Sequence, residues 1–192
     1  MKTGGFTGSK SSDRTHGVQI MQIQTQRLVL RPIGMQDLET TYAYSADKDN
    51  TKYMAFLPNE SIDETKEFLE RCESEWHKTS PCFYEFAVVA DGNHIGGIGV
   101  YLFGSKSTAE LGWILDKNYH GKGYATEAAG AVIGFAESKL SIRHFVAHCD
   151  WENRASQNVM SKLGFFCIGC ASGRKNRGSS EERKEMTFEL YV

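Results

Sequence analysis

Residues 27–31 alternate apolar and polar positions, the period of a half-buried strand, and residues 35–46 after them read as a short helix. In Ser61-Ile62-Asp63-Glu64 a serine and a glutamate stand at capping-box spacing. Thr65, Phe68, Leu69, Cys72 and Trp76 then recur at helical intervals, so a helix is predicted to about His77. Residues 84–90 and 94–103 are apolar runs around Asp91-Gly92-Asn93, which predicts a hairpin, and residues 107–115 follow as a central strand. Ala125, Ala128, Ala129, Val132, Ile133, Ala136 and Leu140 form the stripe of the strongest helix. Residues 144–149 read as a buried strand parallel to the preceding one, because a helix makes the crossover. Residues 154–163 form a last helix stopped by Gly164, and residues 165–169 and 186–191 are closing antiparallel strands. The polar stretch 172–185 between them reads as a mobile hairpin tip or as a border of a substrate site.

The loop that starts the long helix, Asn118-Tyr119-His120-Gly121-Lys122-Gly123-Tyr124-Ala125-Thr126-Glu127, carries two glycines around one lysine. Glycine lets the backbone approach a ligand, and the helix start offers unpaired N–H groups and partial positive charge, so the segment reads as an anion cradle for a phosphate or pyrophosphate. Asp116 and Gly123 stand where a nucleotide-triphosphate loop needs glycine and a hydroxyl residue. Gly121, Gly123 and Thr126 do not complete the dinucleotide fingerprint. Without further context, a plain glycine-rich connection explains the segment as well.

The 192 residues, 40% apolar with a net charge of −2, suit one globular domain and give no nucleic-acid footprint. No apolar stretch reaches membrane-spanning length and no signal peptide is evident, so a soluble cytoplasmic protein is expected. Residues 1–20 are rich in Gly, Ser, Thr and Lys and read as a disordered tail, a vector remnant or an upstream start, with residues 21–192 as the single domain. Five cysteines, an odd number, suit reduced thiols. Cys167-x-x-Cys170 lacks a second pair, and strand alternation is expected to point the two side chains to opposite faces, which argues against a metal or redox centre.

Ala109-Glu110-Leu111-Gly112-Trp113-Ile114-Leu115-Asp116, the glycine loop, Asp150-Trp151-Glu152-Asn153-Arg154-Ala155-Ser156 and Lys162-Leu163-Gly164-Phe165 occur in this order. Together they resemble the GNAT superfamily of acetyl-CoA-dependent N-acetyltransferases. Thr25-Gln26-Arg27-Leu28-Val29-Leu30-Arg31-Pro32 and the Gly-Lys-Gly-Tyr-Ala-Thr-Glu-Ala run resemble its RimJ/RimL-type branch, which includes acetylases of ribosomal-protein N-termini. The resemblance spans about residues 25–190. It implies a mixed α/β (α+β) fold, a mostly antiparallel sheet whose two central parallel strands splay apart between flanking helices.

The resemblance also implies the site. Pantetheine enters the splay as an added strand against the backbone of Trp113, Ile114 and Leu115. Gly121, Lys122, Gly123, Tyr124, Ala125 and Thr126 hold the pyrophosphate, although Asn118 departs from the Gln or Arg that often opens the loop. Glu110 is the candidate general base, with a solvated or structural carboxylate as the alternative. Met160 stands where many members carry a tyrosine acid, and methionine cannot donate a proton. RimL-like members imply Ser156 as the group that protonates or orients sulfur and Asn153 as a pantetheine contact, while a plain helix N-terminus would explain both. The implied reaction is direct transfer from acetyl-CoA, with no metal, to a primary amine such as a protein N-terminus. Alternatives are a small-molecule amine (antibiotic, polyamine, amino sugar or amino acid) and a non-catalytic acyl-CoA sensor. A homodimer is compatible with the resemblance.

Overall fold

The computed structural model describes residues 21–103 and 107–192. The expected tail, residues 1–20, lies outside the described residues. The chain runs β1 (Ile23–Gln24), β2 (Leu28–Pro32), a 3-10 turn (Met35–Asp37), α1 (Leu38–Ser45), α2 (Ile62–Trp76), β3 (Phe83–Ala90), β4 (Asn93–Phe103) and β5 (Thr108–Leu115). A 3-10 turn (Lys117–Tyr119), α3 (Tyr124–Leu140), β6 (His144–Asp150), α4 (Arg154–Lys162), β7 (Phe166–Lys175) and β8 (Glu182–Tyr191) follow. The strands form one mixed sheet in the order β1-β2-β3-β4-β5-β6-β8-β7.

Local signals explain the element ends. Ser61 caps α2 by accepting from the Glu64 backbone N–H at 3.4 Å. Asp91 and Gly92 both take positive φ, 49° and 77°, the geometry a tight hairpin between β3 and β4 demands. At the end of α4, Gly164 turns left-handed at φ 86°, and the Phe165 N–H reaches back to the Met160 carbonyl at 3.0 Å.

Strand alternation divides the core. Phe86 and Val88 of β3 join Ile98, Val100, Leu111, Val132, Ala136 and Phe145 in the cluster that α3 covers. Ala87, between them, faces Ile33, Leu69 and Cys72 under α2. Glu85 shares the parity of Ala87 and pairs with Gly99 on β4, which pairs with Gly112 on β5.

All pairings are antiparallel except β5 with β6, which is parallel and spans Thr108↔His144, Ala109↔Phe145 and Glu110↔Val146. From Leu111 onward β5 pairs with β4 alone, while β6 continues to Asp150 against β8. The sheet therefore opens into a wedge beyond Glu110, and the freed backbone of β5 faces the gap.

Two features differ from the sequence reading. The polar stretch 172–185 is largely strand, because β7 runs to Lys175 and β8 starts at Glu182. Fully buried Asp150 at the end of β6 anchors it, accepting from the Asn176 amide at 2.7 Å and from the Arg183 guanidinium. Cys167 and Cys170 do not point to opposite faces: Cys167 pairs with Phe188 and Cys170 with Met186, two residues of equal parity, because a bulge at Ile168 inserts one residue. Both are exposed free thiols.

Candidate active site

Gly121 and Gly123 carry the loop into α3 at φ 76° and 81°, and Gly123 has no side chain with which to cap the helix. The first N–H groups of α3 are thus left for a ligand. The loop is held from outside. Glu127 accepts from Thr25 Oγ1 at 2.6 Å, the Arg27 backbone N–H at 2.8 Å and Arg27 Nε at 2.7 Å, while Arg27 Nη1 donates to the Lys122 carbonyl at 2.8 Å. Burial pushes the Glu127 carboxyl up, but these hydrogen bonds outweigh it and hold it below the usual glutamate range. Asp116 shapes the approach by accepting from the Asn118 N–H and its side-chain amide at 2.8 and 2.9 Å.

A cavity of about 310 Å³ joins the wedge to this loop. Trp113, Ile114, Leu115, Gly121, Gly123, Tyr124, Ala125, Thr126, Asn153 and Ser156 all line it. Of the residues expected at the cofactor, Lys122 alone does not: its ammonium lies 5.0 Å over the Tyr119 ring. Asn153 Oδ1 caps α4 by accepting from the Ser156 N–H at 3.1 Å, a bond that uses neither the Asn153 amide N–H₂ nor the Ser156 hydroxyl, and both residues line the cavity. Met160 is fully buried in the α3 core and does not face the cleft, so its replacement of a tyrosine says nothing against chemistry there.

A second cavity of about 850 Å³ continues from the first through Met54, Trp113, Ile114, Asn153 and Ser156, which border both. Glu110, at the last parallel pair before the splay, lines this larger chamber. So do Arg174, Arg177 and Glu185 of the β7–β8 hairpin, which places that segment at the chamber's border. Cys149 also lines it, but burial pushes its thiol up to about 11, so it is not a thiolate near neutral pH. No group of three or more His, Cys, Asp or Glu side chains suited to a metal gathers among the described residues.

The chamber holds a hydrogen-bonded pair whose buried carboxylate, Glu85, the sequence reading missed. Tyr101 Oη donates to Glu85 Oε2 at 2.7 Å, and Tyr101 in turn pairs across the sheet with Glu110. Burial pushes the Glu85 carboxyl up to about 7, against the lowering effect of the Tyr101 hydrogen bond. Burial and the neighbouring Glu85 push the Tyr101 phenol well above its usual value. The available signal was a lone carboxylate inside the apolar run Phe83-Tyr84-Glu85-Phe86-Ala87-Val88.

A splayed parallel pair, a glycine loop at an uncapped helix and two communicating cavities form one cleft, with the glycine loop bordering the smaller cavity. The acetyltransferase (GNAT) domain model matches residues 27–166 of the chain. The chain belongs to the GNAT acetyltransferases. GNAT acetyltransferases use acetyl-CoA as cosubstrate, and the cleft's anion cradle and unpaired strand edge suit its pyrophosphate and its pantetheine amides. This GNAT chain is 31% identical over 147 residues to the uncharacterized N-acetyltransferase YnaD of Bacillus subtilis, covering 75% of the chain and 82% of that protein. It is 28% identical over 141 residues to the spermidine N(1)-acetyltransferase of Escherichia coli K12, covering 73% of each. Its fold superposes with a TM-score of 0.80 on RimL, the ribosomal L7/L12 alpha-N-protein acetyltransferase, solved with coenzyme A; the match is 16% identical and covers 90% of this chain and 98% of that one. The protein is therefore an acyltransferase, and no described helix is long and apolar enough to cross a membrane.

Proposed function

We propose that residues 21–192 act as one unit that transfers an acetyl group from acetyl-CoA directly to a primary amine, in the manner of the RimJ/RimL-type branch. The observation that carries this reading is the junction of the two cavities at Trp113, Ile114, Asn153 and Ser156, with Glu110 on the acceptor side. Acetyl-CoA lies with its pyrophosphate on residues 121–126 and its pantetheine along Trp113, Ile114 and Leu115, so the thioester arrives where the chambers meet.

An amine must be neutral to attack. At pH 7 an amine of pKa near 8 is neutral in about a tenth of molecules, and one near 10.4 in roughly one of 2,500. Glu110 takes the proton as the nitrogen lone pair forms the C–N bond to the thioester carbonyl. The tetrahedral centre collapses, the C–S bond breaks, and Ser156 orients or protonates the departing thiolate. Holding both substrates in one cleft removes the need for an acyl-enzyme, which agrees with the raised Cys149 thiol.

A protein N-terminus and a small-molecule amine are the two acceptor readings, and the names of RimL and of the spermidine relative attach one to each. A chamber of about 850 Å³ lined by a buried carboxylate, Glu85, favours the small cationic amine. The test is acetyl-CoA-dependent thiol release across N-terminal peptides, polyamines, amino sugars and amino acids, with CoA binding followed by thermal shift. Release with one acceptor class is expected. Binding without release from any amine would leave a CoA sensor instead.

A further inference from the structure

Glu85 is 6% exposed and has no ion-pair partner among the described residues, yet it lines the acceptor chamber. Its Oε2 is occupied by Tyr101, and its Oε1 takes no hydrogen bond from a described residue. A Cβ built on Gly97 would stand 3.2 Å from Glu85 Oε1 and 3.5 Å from the Tyr44 hydroxyl, so the two oxygens face the same small space. Thr41 also borders the chamber, with its Oγ1 buried and within reach of the Tyr44 phenol. A carboxylate that is 6% exposed, with one oxygen open to the chamber and given no protein donor, suits a ligand that brings one.

The chemistry of that ligand follows from the groups. The ionised Glu85 Oε1 can only accept and the Tyr44 hydroxyl can accept as well as donate, so a group with several N–H donors and a positive charge matches them: an alkylammonium. Glutamates outnumber arginines along the chamber wall, where Glu64, Glu67 and Glu185 join Glu85 and Glu110. Arg174 is engaged by Glu185 and Arg177 by Glu64, while Arg71 is exposed and stacks on Phe68. The Cα atoms of Glu85 and Glu110 lie two strands and two residues apart, roughly 12 Å from strand spacing and rise. Their side chains share one face of the sheet, so the carboxylates approach the two ends of a short chain.

Resting on the acetyltransfer reading above, we infer that the part of the acceptor chamber beside Glu85 is a cation subsite, in which Glu85 with Tyr44 holds the non-reacting ammonium of a diamine or polyamine while its other amine reacts at Glu110. The subsite selects the acceptor and fixes its depth. It also supplies a cation to a carboxylate that burial holds near pH 7, with Tyr44 of α1, Arg71 and Cys72 of α2 and Tyr101 of β4 as the titratable or charged neighbours facing it.

The test compares 1,4-diaminobutane with butylamine as acceptors, by kcat/KM and by calorimetric binding to the CoA complex. The diamine is expected to be preferred by roughly tenfold to a hundredfold, the range of one charge-assisted contact. That ratio is expected to grow as pH rises through about 7, where Glu85 ionises. In Glu85→Gln the ratio shrinks towards one. The melting temperature of this variant at pH 8 holds or rises, because a buried charge has been removed. Equal use of the two amines, or a preference for N-terminal peptides over both, overturns the subsite while leaving acetyltransfer standing. A wild-type ratio retained in folded Glu85→Gln overturns it as well. Failure to acetylate any amine removes the underlying acetyltransfer reading, and the subsite with it.

Discussion

Arg27 and Glu127, a hundred positions apart, are joined by two hydrogen bonds, one from the Arg27 backbone and one from its guanidinium, and Arg27 extends the contact to the Lys122 carbonyl. The pair ties the start of β2 to the first turn of α3 and so sets the glycine loop between them. Neutralising Glu127 as Glu127→Gln is expected to raise KM for acetyl-CoA roughly tenfold, the size of one charge-assisted hydrogen bond, with a smaller change in kcat. Because the Glu127 carboxyl sits below its ordinary range when folded, its contribution is complete above that range and is lost as pH falls through the folded value. KM for acetyl-CoA at pH 7 checks the first statement, and unfolding of wild type against Glu127→Gln from pH 7 to well below pH 4 checks the second.

Glu110 and Ser156 separate by function. Glu110→Gln is expected to lower kcat by roughly a hundredfold while leaving CoA affinity in place, the usual size of a lost general base. Ser156→Ala should lower kcat less, since water can protonate the leaving thiolate. Steady-state kinetics with a fixed good acceptor distinguish them, and unchanged turnover in both variants would remove these assignments.

Gly99 makes room for the Glu85–Tyr101 pair. A Cβ there would stand 2.0 Å from Glu85 Oε2 and 2.7 Å from the Tyr101 hydroxyl. Gly99→Ala is expected to destabilise by about 1–3 kcal/mol, the range for overpacking, and to raise KM for the acceptor with little effect on CoA binding. Denaturant unfolding and two-substrate kinetics supply the numbers.

Asn153 serves the helix and the ligand together. Asn153→Ala should cost about 1 kcal/mol of stability through the lost cap. Asn153→Asp keeps the capping oxygen but removes the amide donor, so it should preserve melting temperature while weakening CoA binding. Equal CoA affinity in wild type and Asn153→Asp would assign the residue to the helix alone.

Much of the frame was legible because its causes are local. Ser61 and Glu64 announce α2, Asp91-Gly92 the hairpin, and Gly164 the end of α4, each through neighbours within a few residues. The resemblance added the splay, which periodicity alone does not reveal. The illegible parts depend on register or on distant partners. One residue at the Ile168 bulge reverses the expected facing of Cys170, and Asp150 draws the polar 172–185 stretch into strands through Arg183 and Asn176. The part played by Glu85 was hidden for the same reason: Thr41, Glu85 and Tyr101 come from three elements and meet only when the sheet and α1 assemble. Lys122 stands beside the glycine loop with its side chain resting on Tyr119.

The most direct test of the account is initial-rate thiol release with acetyl-CoA and a diamine acceptor both varied, together with the intact mass of the protein after acetyl-CoA alone. The account predicts intersecting double-reciprocal lines, acceptor acetylated in step with thiol released, and an unmodified protein mass. Parallel lines with an acetylated protein that passes its group to the amine would contradict direct transfer in this cleft.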